Sequence, residues 1–241
     1  MEQYLIDPQQ TQLQTTVISS TATTVQFAAT IIYPGGGGQP LDSAVIVQGN
    51  HRYQVLAAER TATGIRYTLD RPLAEPSLPV TQIIAGAVRT RNTRYHTLLH
   101  LIAGLAAREY GCVVTSNQIL SDHARIELQF PTHAAKLAFP LADFTATVSA
   151  AITANHSVSA RIVDRDALQN EQEEVRTLVS LIPAAVNQVR LVKITGVDEE
   201  ACAGTHVAST RQIGAITLKA KSKGPLKLRL QAVLTDSANA D

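Results

Sequence analysis

His96 and His100 stand four residues apart in the run Tyr95-His96-Thr97-Leu98-Leu99-His100-Leu101. On a helix that spacing puts both imidazoles on one face, where they can approach a single ion. Far downstream, Cys202-Ala203-Gly204-Thr205-His206 offers a thiolate and a third imidazole, and Gly204 lets the backbone turn tightly between them. Three nitrogens and one sulfur are a natural set for tetrahedral zinc, one ion per chain. Either pair alone could be buried histidines or a chance Cys-x-x-x-His; together they read as a zinc site. Thr97 occupies the place where a His-Glu-x-x-His metalloprotease carries its general base, which disfavours peptide hydrolysis by that route. A structural zinc is closed by four protein ligands, whereas a catalytic one keeps a position for water or substrate. Spacing leaves both roles open.

A second unusual feature is Tyr33-Pro34-Gly35-Gly36-Gly37-Gly38-Gln39-Pro40-Leu41-Asp42. Gly35, Gly36, Gly37 and Gly38 give the backbone freedom and let a ligand come close to it. No Gly-Lys-Ser/Thr follows, so this is not a phosphate loop. Alone it reads as a hairpin connection; Gln39, whose amide both donates and accepts, makes a substrate-binding loop worth testing.

The elements that must carry these residues fall into two regions. Residues 1 to about 70 are rich in Thr and Val, with β candidates at residues 25–32, 44–47 and 53–56 and turns at Asn50-His51 and Thr63-Gly64. Several short strands between turns suggest a small barrel. Residues 71–79 hold three prolines, a candidate boundary. The division expected is therefore residues 1–80 as an N-terminal β-barrel domain carrying the glycine loop, and residues 81–241 as an α+β domain. In the second region a helix is predicted over residues 93–110, closed by Gly111, with others over 142–155 and 166–181 and a β pattern from Val189. The end is a hairpin: Leu218, Ala220 and Ser222 alternate with Lys219, Lys221 and Lys223, and after Gly224-Pro225, Leu226, Leu228 and Leu230 alternate with Lys227, Arg229 and Gln231.

Composition narrows the class. The chain is 45% hydrophobic and 17% charged with net charge +1, so attraction for phosphate must come from a local patch. Aromatic residues make up only 4% and tryptophan is absent, which points to aliphatic cores and little base stacking. The start lacks a signal-peptide pattern, no apolar run suffices for a membrane span, and two distant cysteines fit a reducing cytoplasm.

The helix His-x-x-x-His, the later Cys-x-Gly-Thr-His and the Tyr-Pro-Gly-Gly-Gly-Gly-Gln-Pro-x-Asp loop, in that set and order, resemble the AlaX proteins, free-standing relatives of the editing domain of alanyl-tRNA synthetase. The resemblance runs from Tyr4-Leu5-Ile6-Asp7 to residues 226–230 and includes Thr205-His206-Val207, Ile213-Gly214 and Ser222-Lys223-Gly224. It implies an α+β protein with a small N-terminal β-barrel and a zinc-holding editing domain, and a trans-editing aminoacyl-tRNA deacylase that hydrolyses seryl-tRNA(Ala), and glycyl-tRNA(Ala) as a second substrate, while sparing alanyl-tRNA(Ala). The ligands would be His96, His100, Cys202 and His206, with Gln39 and the loop Gly35, Gly36, Gly37, Gly38 bordering the pocket. The chain departs from the family pattern at Ala203, often glycine there, at Gly35, threonine in some relatives, and at Ala44, where many have glycine.

An aminoacyl-tRNA is an ester, and zinc could activate water or position substrate for its cleavage; both roles stay open. Backbone N–H groups of the loop or Gln39 would face the developing oxyanion, and Thr205 and Gln39 are the candidates for contacting a serine hydroxyl, Thr205 equally for bracing its loop. Candidate tRNA contacts are Arg89, Arg91 and Arg94 beside the metal helix, and Lys219, Lys221, Lys223, Lys227 and Arg229 on the hairpin. Cys112 reads as a small buried hydrophobe, and Glu171, Glu173 and Glu174 as a solvated face. No obligate protein partner is read. The alternatives are a threonyl-type editing deacylase and a zinc-stabilised tRNA-binding module without catalysis.

Overall fold

A computed structural model describes residues 1–168 and 186–235. The chain is mixed α+β and divides into two compact units, Met1–Thr93 and Arg94–Asp241. The proline-bearing stretch does not end the first unit. Strand β7 (Val80–Ile84) returns to pair antiparallel with β1 (Gln12–Thr15) and β4 (Ala44–Gln48), so the first unit extends past residue 80.

The first unit is one antiparallel sheet in the order β1-β7-β4-β5-β6-β3-β2, where β2 is Val17–Thr21, β3 Thr24–Phe27, β5 His51–Thr61 and β6 Gly64–Leu69. A small barrel was expected; among the described residues the ladder is a curled sheet with β1 and β2 at its edges. These edges are one run of chain that changes partner at Thr16, from β7 to β3, so they meet through the covalent backbone rather than a ladder. Alternation works as the sequence implies: β4 reads buried at Ala44, Ile46 and Gln48, and β7 at Val80, Gln82 and Ile84.

The expectation of purely aliphatic cores needs correcting. Tyr4, Tyr33, Tyr53 and Tyr67 are all buried within the first unit, because their hydroxyls find partners there. Tyr67 donates to the Ile32 carbonyl at 2.7 Å and Tyr33 to that of Gly36 at 2.8 Å. Of the six tyrosines and four phenylalanines, Tyr110 and Phe139 are half-buried and the rest buried, which leaves little aromatic surface for stacking bases.

Helix α1 (Gly86–Tyr110) is longer than the stretch read from the sequence and ends at Gly111, which takes φ +63° as a helix stop requires. Its start is unmarked by a capping residue; the Ala85 carbonyl accepts from the Arg89 N–H at 3.0 Å and begins the ladder. In the second unit a four-stranded sheet runs β13-β14-β9-β8, comprising Ile216–Ser222, Lys227–Leu234, Ala124–Gln129 and Val113–Ile119. Its core joins Leu98, Leu101, Ile102 and Leu105 of α1 to Ile126, Leu128 and Leu230, with Phe144, Val148 and Ile152 of α3 (Leu141–Thr153). Between α1 and α3, α2 (His133–Leu137) is capped by Thr132, whose hydroxyl accepts from the Ala135 N–H at 3.1 Å.

The predicted terminal hairpin is present, with Lys219 opposite Gln231 and Lys221 opposite Arg229. A separate three-stranded sheet orders β10 (Val158–Asp164), β11 (Gln188–Ile194) and β12 (Asp198–Ala201). Of the helix expected over 166–181, only α4 (Arg165–Leu168) lies within the described residues, and Glu171, Glu173 and Glu174 lie outside them. No helix is long and apolar enough to cross a membrane among the described residues.

Candidate metal centre

Helix α1 presents His96 and His100 on successive turns of one face, both buried. The third and fourth donors come from the segment after β12, where the chain leaves the sheet at Ala201 and turns through Cys202 to His206. Two features shape that turn. Arg190 on β11 donates from Nη1 to the carbonyls of Cys202 at 2.8 Å and Gly204 at 3.1 Å. The Gly204 N–H donates to Cys202 Sγ at 3.3 Å, a bond that favours thiolate.

The structure brings the four predicted ligands together. Cys202 Sγ lies 3.5 Å from His96 Nε2 and 3.3 Å from His206 Nε2, and all four donor atoms fall within 4.8 Å of one another. Donors around a tetrahedral ion with zinc's bond lengths stand about 3.4–3.6 Å apart. The cluster could therefore hold a metal ion, and it is a set of four protein donors.

Electrostatics prepare the donors unequally. Burial alone would lower the His100 pKa, but the Glu200 carboxylate and the Cys202 thiolate outweigh it and push it up to about 10. Burial would raise Cys202, yet the three histidines hold its thiol well below the ordinary range. His206 falls to about 3, because burial and the neighbouring His96 and His100 outweigh the pull of Cys202. Without metal, His100 is the proton-bearing member, Cys202 the anion and His206 neutral.

Thr97, set aside as a lost general base, has a different task. Its Oγ1 accepts from the Val207 N–H at 3.1 Å and lies 3.1 Å from His206 Nδ1. With His206 Nε2 turned to the cluster, Nδ1 carries the proton and donates to Thr97. Thr205 is buried in the same loop.

Gly104 was not singled out from the sequence. A Cβ there would stand 2.6 Å from Asp198 Cβ and 3.1 Å from the Val197 carbonyl, so the missing side chain is what lets α1 pack against the start of β12. An isolated glycine inside a helical pattern was the available signal.

The glycine loop belongs to the first unit. Gly36 and Gln39 exchange N–H···O=C bonds of 3.0 Å around Gly37 and Gly38, whose φ of +57° and +85° make a two-residue turn with both central residues left-handed. The Gly36 N–H is thus spent inside the turn. Gly35 takes φ +89°, Gln39 is buried, and Gly36 and Gly37 are exposed. Asp42 closes the loop, its Oδ2 accepting from the Tyr33 N–H at 2.7 Å.

Two of the arginines expected to meet tRNA are committed elsewhere. Arg89 is 1% exposed; Nε donates to Asp42 Oδ1 at 3.0 Å, Nη2 to Asp42 Oδ2 and to the Ile31 carbonyl at 2.6 Å, and Nη1 to the Pro8 carbonyl at 3.1 Å. Arg94 is 5% exposed and donates to the Ile213 carbonyl at 3.0 and 2.7 Å. A guanidinium so enclosed reaches no phosphate. Arg91 is half-buried, whereas Lys219, Lys221 and Lys223 are exposed and Lys227 half-buried. Arg229 pairs with Glu127 at 2.5 Å, and that bond, followed by the nearby Lys223 and Lys227, lowers the Glu127 pKa against its burial. Cys112 is buried and free, its thiol pushed up to about 11 by desolvation, as befits a small hydrophobe.

Comparison with known proteins gives the following. Residues 189–230 match the family model described as the threonyl and alanyl tRNA synthetase second additional domain. The chain is 28% identical over 219 residues to alanyl-tRNA editing protein AlaX-M of Methanosarcina mazei, covering 87% of this chain and 86% of that one. It is 26% identical to the protein of that name from Saccharolobus solfataricus, covering 95% and 96%. The alanine–tRNA ligase of Methanothermobacter thermautotrophicus is 29% identical over 88% of this chain but only 24% of its own length.

Proposed function

Because the chain belongs to the AlaX family of alanyl-tRNA editing proteins, we propose that it is a trans-editing deacylase that hydrolyses the ester of tRNA(Ala) mischarged with serine, and of tRNA(Ala) mischarged with glycine, around one bound zinc ion. The observation that carries the reading is the meeting of His96, His100, Cys202 and His206, all four donor atoms within 4.8 Å of one another, in a chain similar to editing proteins along most of their length. Zinc in this set would supply Lewis-acid polarisation at the substrate ester.

The chain's own groups do the rest. His96, His100, His206 and the Cys202 thiolate would hold the ion, and Arg190 keeps the Cys202 turn in shape. In the first unit, Gly35, Gly36, Gly37, Gly38 and Gln39 are the substrate-binding residues of this reading, with Gln39 also catalytic; in the second unit, Thr205 is its catalytic residue beside the metal ligands. A site built to hydrogen-bond a serine hydroxyl rejects the analogue lacking it by up to about 10⁴–10⁵, because its polar groups are left unpaired. Lys219, Lys221, Lys223, Lys227 and Arg229, with Arg91, meet the tRNA backbone. Neutralising the hairpin lysines would flatten the dependence of log K on log salt by about 0.7–0.9 for each phosphate that no longer meets a cation.

The family model's threonyl half favours one second reading, editing of a tRNA(Thr) substrate. Both are tested by incubating the zinc-loaded protein with tRNA(Ala) carrying serine, glycine or alanine and with serine-charged tRNA(Thr), beside Cys202→Ala. Release of serine from tRNA(Ala), with alanine spared and the variant inactive, supports the proposal. No release from tRNA(Ala) sinks it, and release from tRNA(Thr) alone installs the second reading.

A further inference from the structure

His100 differs from the other two histidines in what lies behind it. Its Nδ1, buried and without a hydrogen bond in the metal-free site, lies at ion-pair distance, 2.9 Å, from Glu200 Oε1, the nearest acceptor to which it can turn, and the Asp198 carboxylate stands further off at 3.9 Å. Both carboxylates come from β12, the strand that leads directly into Cys202, and both are largely screened from solvent, at 19% and 3% exposed. Residues 198 and 200 share one face of the strand, and Glu199 between them points to the other, held by Arg161 at 2.8 Å and Lys193 at 2.9 Å. Glu200 is therefore presented to α1 by the strand's own register.

We propose that Glu200 is a positioning residue for the metal: it accepts the Nδ1–H of His100, fixing the tautomer whose lone pair is on Nε2 and the ring orientation that faces the cluster. A neutral imidazole has one protonated nitrogen, so a carboxylate at Nδ1 decides which nitrogen is left to coordinate. The same contact makes the ring a more basic ligand. Asp198 at 3.9 Å is beyond hydrogen-bond reach and contributes charge without direction. Thr97 plays the matching part at His206 with a neutral hydroxyl, so one histidine is braced by an anion and another by an alcohol. Gly104, on the face of α1 one turn beyond His100, is what admits β12 closely enough for this contact.

The proposal rests on the metal site argued above, and its test separates the two. Zinc affinity is measured by chelator competition for wild type, Cys202→Ala, Glu200→Gln and Asp198→Asn, and cobalt-substituted samples report the thiolate-to-metal charge-transfer band. Glu200→Gln is expected to bind zinc about 10–100-fold more weakly while keeping that band, whereas Asp198→Asn, equal in charge change, stays close to wild type. Equal loss in both variants, or none in Glu200→Gln, overturns the positioning role. Wild type without zinc binding, or Cys202→Ala with undiminished affinity, overturns the metal site itself and the proposal with it. Should Glu200→Gln fail to fold, nitrogen-15 spectra of zinc-loaded wild type decide: His100 must be protonated at Nδ1 and coordinated through Nε2, and the reverse tautomer refutes the assignment.

Discussion

Arg89 is a cation that a linear reading places on a tRNA-binding surface and the structure places inside the first unit. Replacing it with methionine keeps much of the side-chain volume and removes the charge. Asp42 would then be an anion 2% exposed with its ionic partner gone, and the carbonyls of Ile31 and Pro8 would lose donors at 2.6 and 3.1 Å. Breaking a buried pair from one side costs about 3–5 kcal/mol, because an uncompensated charge remains. Against the roughly 5–15 kcal/mol that holds a domain together, this is a major fraction. For a unit of this size each kcal/mol moves the midpoint by about 4–8 °C, so Arg89→Met should lower it by about 12 °C or more. Adding Asp42→Asn should recover part of the loss by removing the stranded charge. The assay is urea and thermal unfolding followed by tyrosine fluorescence, which the four buried tyrosines of that unit report, alongside tRNA binding at several salt concentrations. An Arg89→Met protein with a wild-type midpoint but weakened, less salt-dependent tRNA binding would refute the structural role and restore the phosphate contact.

Zinc binding should be strongly pH-dependent. His100 holds a proton up to about 10 in the metal-free site and must lose it to coordinate, so calorimetry in buffers of different ionisation enthalpy should show about one proton released at pH 7.5, with affinity falling about tenfold per unit of lowered pH; no proton release would contradict the assignment. The same upward shift gives metal-free protein a stability contribution that is complete below 6.5 and lost as pH rises through about 10, visible as a falling unfolding midpoint across that window. Gly104→Ala should destabilise by about 1–3 kcal/mol despite alanine's better helix propensity, since its methyl would strike Asp198 Cβ at 2.6 Å, and differential scanning calorimetry would register it. Gly37→Ala meets no atom within 4 Å but must hold φ +57°, so a loss of about 1–2 kcal/mol is expected, with Gly37→Asn milder in the same melt.

What could be read from the sequence was what a fixed period or a fixed coordination chemistry dictates. The i, i+4 pair on α1 and the alternating hairpin β13–β14 are local geometries, and the set of three imidazoles and a thiol has few other chemical uses, so these survive translation into three dimensions. What could not be read depends on long-range partners. Arg89, Arg91 and Arg94 look alike as a basic run, yet one meets an aspartate 47 residues away, another a carbonyl 119 residues away, and only Arg91 is left half-exposed. The same blindness hid Glu200. In sequence it is one of three consecutive acids that suggest a solvated turn; in the fold, strand alternation sends Glu199 to Arg161 and Lys193 and Glu200 to His100. Charge in a sequence thus reports a need for a partner, and burial decides whether that partner is solvent, substrate or the protein itself. By that reasoning the exposed Lys219 and Lys221 of β13, unlike the enclosed Arg89 and Arg94 of α1, are cations placed to meet a partner from solution.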